Sequence, residues 1–95
     1  MPQPMKEVLH NLSEPQRKVV GVVGSLIEIS TFAREADITD GNKYQGIVET
    51  KAALQQLVEL GVLVKEIGDG TLRFKFSEAV IQAGGPRWIM KRLTS

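Results

Sequence analysis

The stretch LQQLVELGVLVKEIGDGTLRFKF, Leu54 to Phe76, restricts the fold of this chain more than any other. Leu54, Leu57 and Leu60 recur at helical spacing, and Gly61 follows where a helix needs a residue tolerant of left-handed backbone to stop. Strand periodicity then takes over on both sides of a Gly68-Asp69-Gly70 connection, short enough to force an antiparallel hairpin. On its second strand Leu72, Phe74 and Phe76 alternate with Thr71, Arg73 and Lys75, so one face is buried and the other is positive. A helix is thus joined to a hairpin by a single glycine.

Upstream, the residue pattern predicts further helices. Met5, Val8, Leu9 and Leu12 share a helical face after the Pro2 and Pro4 lead-in. Ser13 and Gln16 form a capping box, Pro15 suits a first turn, and Val19, Val20, Val23, Leu26 and Ile27 make a buried stripe, giving a helix from about Glu14 to Ile27. Ile29 is a candidate for a brief strand. Ser30 or Thr31 is expected to cap a short helix with Phe32, Ala33 and Ala36 inward and Arg34, Glu35 and Asp37 outward. Asp40-Gly41 signals a turn, with Asn42 as cap and Gln45 at the third position of a helix beginning near Lys43. At about 100° per residue, Ile47, Thr50, Leu54, Leu57, Val58 and Gly61 form its core face, and Gln45, Val48, Glu49, Ala52, Gln56 and Glu59 the opposite one. Ser77 caps a last short helix, EAVIQA, which GGP ends.

This order, three helices followed by a two-stranded wing, resembles the winged helix-turn-helix superfamily over about Ser13 to Phe76. The expected fold is mainly α with a small antiparallel β-hairpin, one domain over residues 1–95. Its core is 13–76, flanked by helical segments 4–12 and 77–93. The resemblance implies DNA recognition, with the third core helix in the major groove and the wing on the backbone. Base or phosphate contacts then fall on Asn42, Lys43, Tyr44, Gln45, Glu49, Ala52 and Gln56. Backbone contacts fall on Lys65, Arg73, Lys75, Arg87, Lys91 and Arg92. The TDGNKYQG segment is longer than the turn of a minimal helix-turn-helix.

Charge decides how far that implication goes, because DNA affinity comes largely from cations meeting phosphates. Twelve Lys and Arg against eleven Asp and Glu give a net charge of only +1. From Gly41 to Gly61 the charges cancel, whereas from Val62 onward there is a surplus of three positive charges. The first expectation is a small, cytoplasmic DNA-binding regulator or site-marking protein. It would act as a homodimer through Met5, Val8, Leu9, Leu12, Trp88 and Ile89. The rival expectation is a protein-interaction module of a larger ATPase, replication or regulatory assembly, motivated by the neutral helix with Val48 and Ala52 outward. LRFKFSEAVIQ also faintly resembles the wing-to-helix passage in winged-helix modules of signal-transducing ATPases.

Other chemistry finds little footing. With no cysteine and one histidine, His10, thiolate or His-rich metal sites cannot assemble, and no metal or cofactor is expected. No nucleophile elbow accompanies His10 and no Lys-Ser or Lys-Thr follows Gly68 or Gly70, so neither a catalytic triad nor a phosphate loop is expected. The longest apolar run, VVGVVGSLI, is far short of the ~20 residues that cross a bilayer.

Overall fold

The computed structural model describes residues 4–29, 32–42 and 45–83, without the side chains of residues 28 and 29. Its elements are α1 (Met5–His10), α2 (Glu14–Ile29), β1 (Ala33–Arg34), α3 (Glu35–Gly41), α4 (Ile47–Glu59), β2 (Leu63–Gly68), β3 (Thr71–Phe76) and α5 (Glu78–Gln82). It is mostly helical, with a three-stranded antiparallel sheet of order β1-β3-β2.

The apolar stripes meet in one core. Val19, Val20 and Val23 of α2 join Ile38 of α3, Ala53, Leu54 and Leu57 of α4, Phe74 and Phe76 of β3 and Val80 of α5. α2 packs against α3 and α4, and α1 against α5. The α2 capping box forms as expected: Ser13 N–H donates to Gln16 Oε1 at 2.9 Å and Gln16 N–H to Ser13 Oγ at 3.4 Å. Ser77 Oγ likewise accepts from the Val80 N–H at the start of α5.

Gly61 ends α4 as expected, at φ 78°. Val62 N–H reaches back to Leu57 C=O at 2.9 Å and Gly61 N–H to Val58 C=O at 3.1 Å, the paired bonds of a Schellman stop. Val62 and Leu57, both fully buried, add the apolar contact that accompanies it.

Several expectations need correcting. The wing connection is two residues, not three: Gly68 pairs with Thr71 inside the sheet. Asp69 and Gly70 take φ of 53° and 74°, the positive values of a type I′ turn. A third strand, Ala33–Arg34, lies where the short helix was expected to begin, and pairs with Phe74 and Arg73 of β3. Ile29 belongs to α2, which runs two residues past the expected end, and Ala36 is exposed while Ile38 fills the core. α4 starts at Ile47, four residues after Lys43, with Gly46 preceding it at φ 97°.

Asn42 does not lead α4. It closes α3, its N–H donating to Ile38 C=O at 3.0 Å. It is 8% exposed, and its Nδ2 donates to Thr50 Oγ1 at 3.2 Å. Thr50 Oγ1 in turn donates to Gly46 C=O at 2.7 Å, so this pair ties both ends of the α3–α4 connection to the second turn of α4.

Ile47 was expected in the core and is 60% exposed, whereas Ala53 is buried. Ile47 has the azimuth of Leu54 but stands at the first position of the helix. There the Cα–Cβ bond tilts toward the N-terminal end and away from the packed turns. Gly61, also placed on the core face, is exposed.

Candidate functional site

Two surfaces hold the candidate residues: the outward face of α4 and the outer face of the sheet. Around α4, Thr50, Ala53, Leu54 and Leu57 are buried, leaving Val48, Glu49, Ala52, Gln55, Gln56 and Glu59 to solvent. Val48 is 77% exposed and, with Ala52, gives this helix an apolar outward strip, while exposed Ile47 stands at its N-terminal end. Its polar residues are partly engaged. Gln56 Oε1 accepts from Gln16 Nε2 at 2.8 Å, joining the face to the start of α2, and Gln55 Nε2 donates to Glu59 Oε1 at 3.2 Å. The Glu49 carboxylate fills the space that a Cβ on Gly46 would take. Lys51, the only cation of α4, pairs with Glu35 of α3 at 3.7 Å.

The structure therefore brings Glu49, Ala52 and Gln56 onto one face but separates them from Asn42, which is buried. Gln45 lies in the turn before α4 with both side-chain polar atoms buried. Lys43 and Tyr44 lie outside the described residues, as do Arg87, Lys91 and Arg92 and the proposed dimer residues Trp88 and Ile89. Of the other dimer residues, Leu9 and Leu12 are buried in the chain's own core, and Met5 and Val8 pack against it.

The outer sheet face is built by register. Because Asp69-Gly70 is a two-residue turn, Glu66 falls directly opposite Arg73, and Val64 opposite Lys75. Glu66 takes both wing cations, Lys75 Nζ at 2.8 Å and Arg73 Nε at 3.5 Å. The Arg73 guanidinium also lies 4.2 Å from the centroid of the Phe32 ring and against Gly68, where any Cβ would meet it. Such stacking stabilises a guanidinium and holds it in one place. Arg34 is exposed opposite Arg73, and Lys65 is exposed on the other side of β2. The face expected to present free positive charge instead carries an internally paired cluster. Phe32 and Arg34 were missed as its members because the strand they belong to or adjoin is two residues long and has no periodicity, and Glu66 because its partner depends on the length of the turn.

No protein-family model, curated protein or solved structure matches this chain. Among the described residues, no group of three or more His, Asp or Glu could hold a metal ion, and no helix is long and apolar enough to cross a membrane.

The cluster has a pH signature. The hydrogen bond from Lys75, followed by its charge and that of Arg73, holds the Glu66 carboxyl below its ordinary value of 4.5. A carboxylate lowered in the folded state contributes stability above its unfolded pKa and loses it as pH falls through the folded value. Wild-type thermal stability is therefore expected to drop on acidification below about pH 4.5, and Glu66→Gln to reduce that drop. Melting temperatures of both proteins at neutral and acid pH check this.

Proposed function

We propose that the chain is a winged-helix module that binds a protein partner through the outward face of α4. The order α2, β1, α3, α4, β2, β3, with three helices packed in one core and a hairpin directly after the last, supports the winged-helix reading of the fold. The observation that carries the functional reading is the chemistry of α4 itself. Its exposed apolar residues Ile47, Val48 and Ala52 are flanked by Glu49 and Glu59, and its one lysine is paired with Glu35. Interface centres favour apolar side chains depleted of charge, whereas a groove-reading helix needs donors toward bases and cations near phosphates.

The charge distribution supports the same choice. Residues 1–83 hold nine Lys and Arg against eleven Asp and Glu, and residues 84–95 hold three cations and no acid. The partner surface that fits α4 is apolar and flanked by basic groups. Duplex DNA binding is the second reading, favoured by exposed Arg34 and Lys65 and by the basic C-terminal residues. No catalytic role is proposed.

Val48→Lys separates the two readings because its expected effects have opposite signs. At an exposed site it should change stability by no more than about 0.5 kcal/mol. It should abolish affinity capture of a partner retained by the wild-type chain, and add a favourable phosphate contact if α4 meets DNA. Wild-type binding to a duplex tighter than the ~10⁻⁴ to 10⁻⁶ M non-specific range, steeply salt-dependent and strengthened by Val48→Lys, would overturn the protein-docking reading.

A further inference from the structure

The wing offers a second docking surface, whose register and side chains together describe its occupant. We infer that β2 receives an extended peptide segment of a partner protein as an added strand, apolar where it crosses Val64 and Ile67 and acidic where it crosses Lys65. β2 and α4 are separate surfaces, so this site stands whether or not α4 docks a partner.

Among the described residues β2 pairs with β3 on one side and with no strand on the other. The register says which groups that open side presents. A two-residue turn closes on a hydrogen-bonded pair, here Gly68 with Thr71, and such pairs alternate along an antiparallel ladder. Gly68, Glu66 and Val64 therefore direct their main-chain groups to β3, while Lys65 and Ile67 aim N–H and C=O outward. No backbone partner for those outward groups is found among the described residues.

The side chains set the chemistry of the incoming strand. Ile67 is 76% exposed and Val64 37%, so an added strand would cover apolar surface that the fold leaves open. Lys65 is exposed and makes no ion pair among the described residues, and a carboxylate directly opposite it would form a stabilising cross-strand pair. Glu66 already holds Lys75 and Arg73, so the residue opposite it is best uncharged. A second copy of β2 cannot supply the acid. Glu66 lies on the other face from Lys65, whose same-face neighbours on this strand are Leu63 and Ile67. Main-chain bonds for affinity and alternate side chains for specificity are the mode of β-strand addition.

The acetylated and amidated hexapeptide TVTDVT, run antiparallel, sets its aspartate opposite Lys65 and its valines opposite Ile67 and Val64. Titrated into the full chain, it is expected to shift the NMR signals of Leu63–Gly68 saturably. It should also slow hydrogen exchange at the Lys65 and Ile67 amides, which exchange fast in the free protein. TVTKVT should bind about tenfold more weakly. Lys65→Glu, at an exposed site and with folding confirmed by circular dichroism, should reverse that preference. TVTDVT N-methylated at its aspartate and first valine, whose amides would meet Lys65 and Ile67, should not bind. Amides of Lys65 and Ile67 already protected in the free protein would overturn the inference. So would the lack of a saturable shift in the low-millimolar range, equal affinity for the two peptides, or undiminished binding of the methylated one. Shifts of β2 that grow with protein concentration alone would overturn it by making a second copy the occupant, and shifts confined to α4 by moving the peptide there. Val48→Lys should leave peptide binding unchanged, so partner capture through α4 succeeds or fails separately.

Discussion

Phe74→Ala is expected to cost about 3–5 kcal/mol, the range for truncating a buried aromatic side chain. Phe74 is 3% exposed at the middle of β3, the central strand, where it lies opposite Ala33 of β1 and Lys65 of β2. Its ring is thus the part of the core on which both flanking strands depend. A domain of this size has only about 5–15 kcal/mol in hand, so the melting temperature should fall by at least about 12 °C. Phe74→Leu, which keeps most of the volume, should cost far less. Urea unfolding of the two variants measures the difference, and equal losses would mean that the site tolerates collapse.

Thr50→Val is the second large effect, expected at about 1–3 kcal/mol despite the similar shape of the two side chains. Thr50 is fully buried, and its hydroxyl accepts from Asn42 Nδ2 while donating to Gly46 C=O. Valine leaves the buried Asn42 amide without that partner, and an unsatisfied buried donor costs its full desolvation. Asn42→Ala combined with Thr50→Val should then cost less than the sum of the single variants, since each alone already breaks the same bond. Additive losses in a denaturant titration would refute the coupling. The same pair sets where α4 begins, so Thr50→Val should also disturb Ile47 and Val48 and weaken partner capture.

The local parts of this fold were legible in the sequence. The Ser13–Gln16 box, the Gly61 stop and the Ser77 cap each depend on residues within a few positions of one another, and each appears where expected. The start of α4 was not legible for the converse reason. Asn42 has the side chain of a helix N-cap, but its tertiary partner Thr50 fixes it at the end of the preceding helix instead. Lacking a periodic signal, β1 emerges only when β3 supplies a partner.

The candidate site shows the same division. Val48, Ala52 and Glu59 face outward as helical periodicity predicts, but the pairing of the wing charges turns on a single residue of loop length. A three-residue connection at Gly68 to Gly70 would have set Ile67 opposite Thr71 and Glu66 opposite Leu72, on the wrong face. The two-residue turn sets Glu66 opposite Arg73, and the apparent phosphate-binding cations become partners of a carboxylate.

The strand order has one more outcome, concerning how the chain behaves in a crowd of its own copies. Among the described residues β2 is an edge, and an unpaired edge is a template for sheet growth. Two copies meeting there antiparallel about a two-fold axis keep their sheet faces, so each residue must oppose one of the same parity. The two registers that engage most of Leu63–Gly68 set Lys65 against Lys65 or Glu66 against Glu66, and like charges directly opposite are destabilising. β1, two residues long, offers the other edge almost no ladder to extend. The adjacent lysine and glutamate of β2 thus disfavour pairing of this edge with the same edge of a second copy.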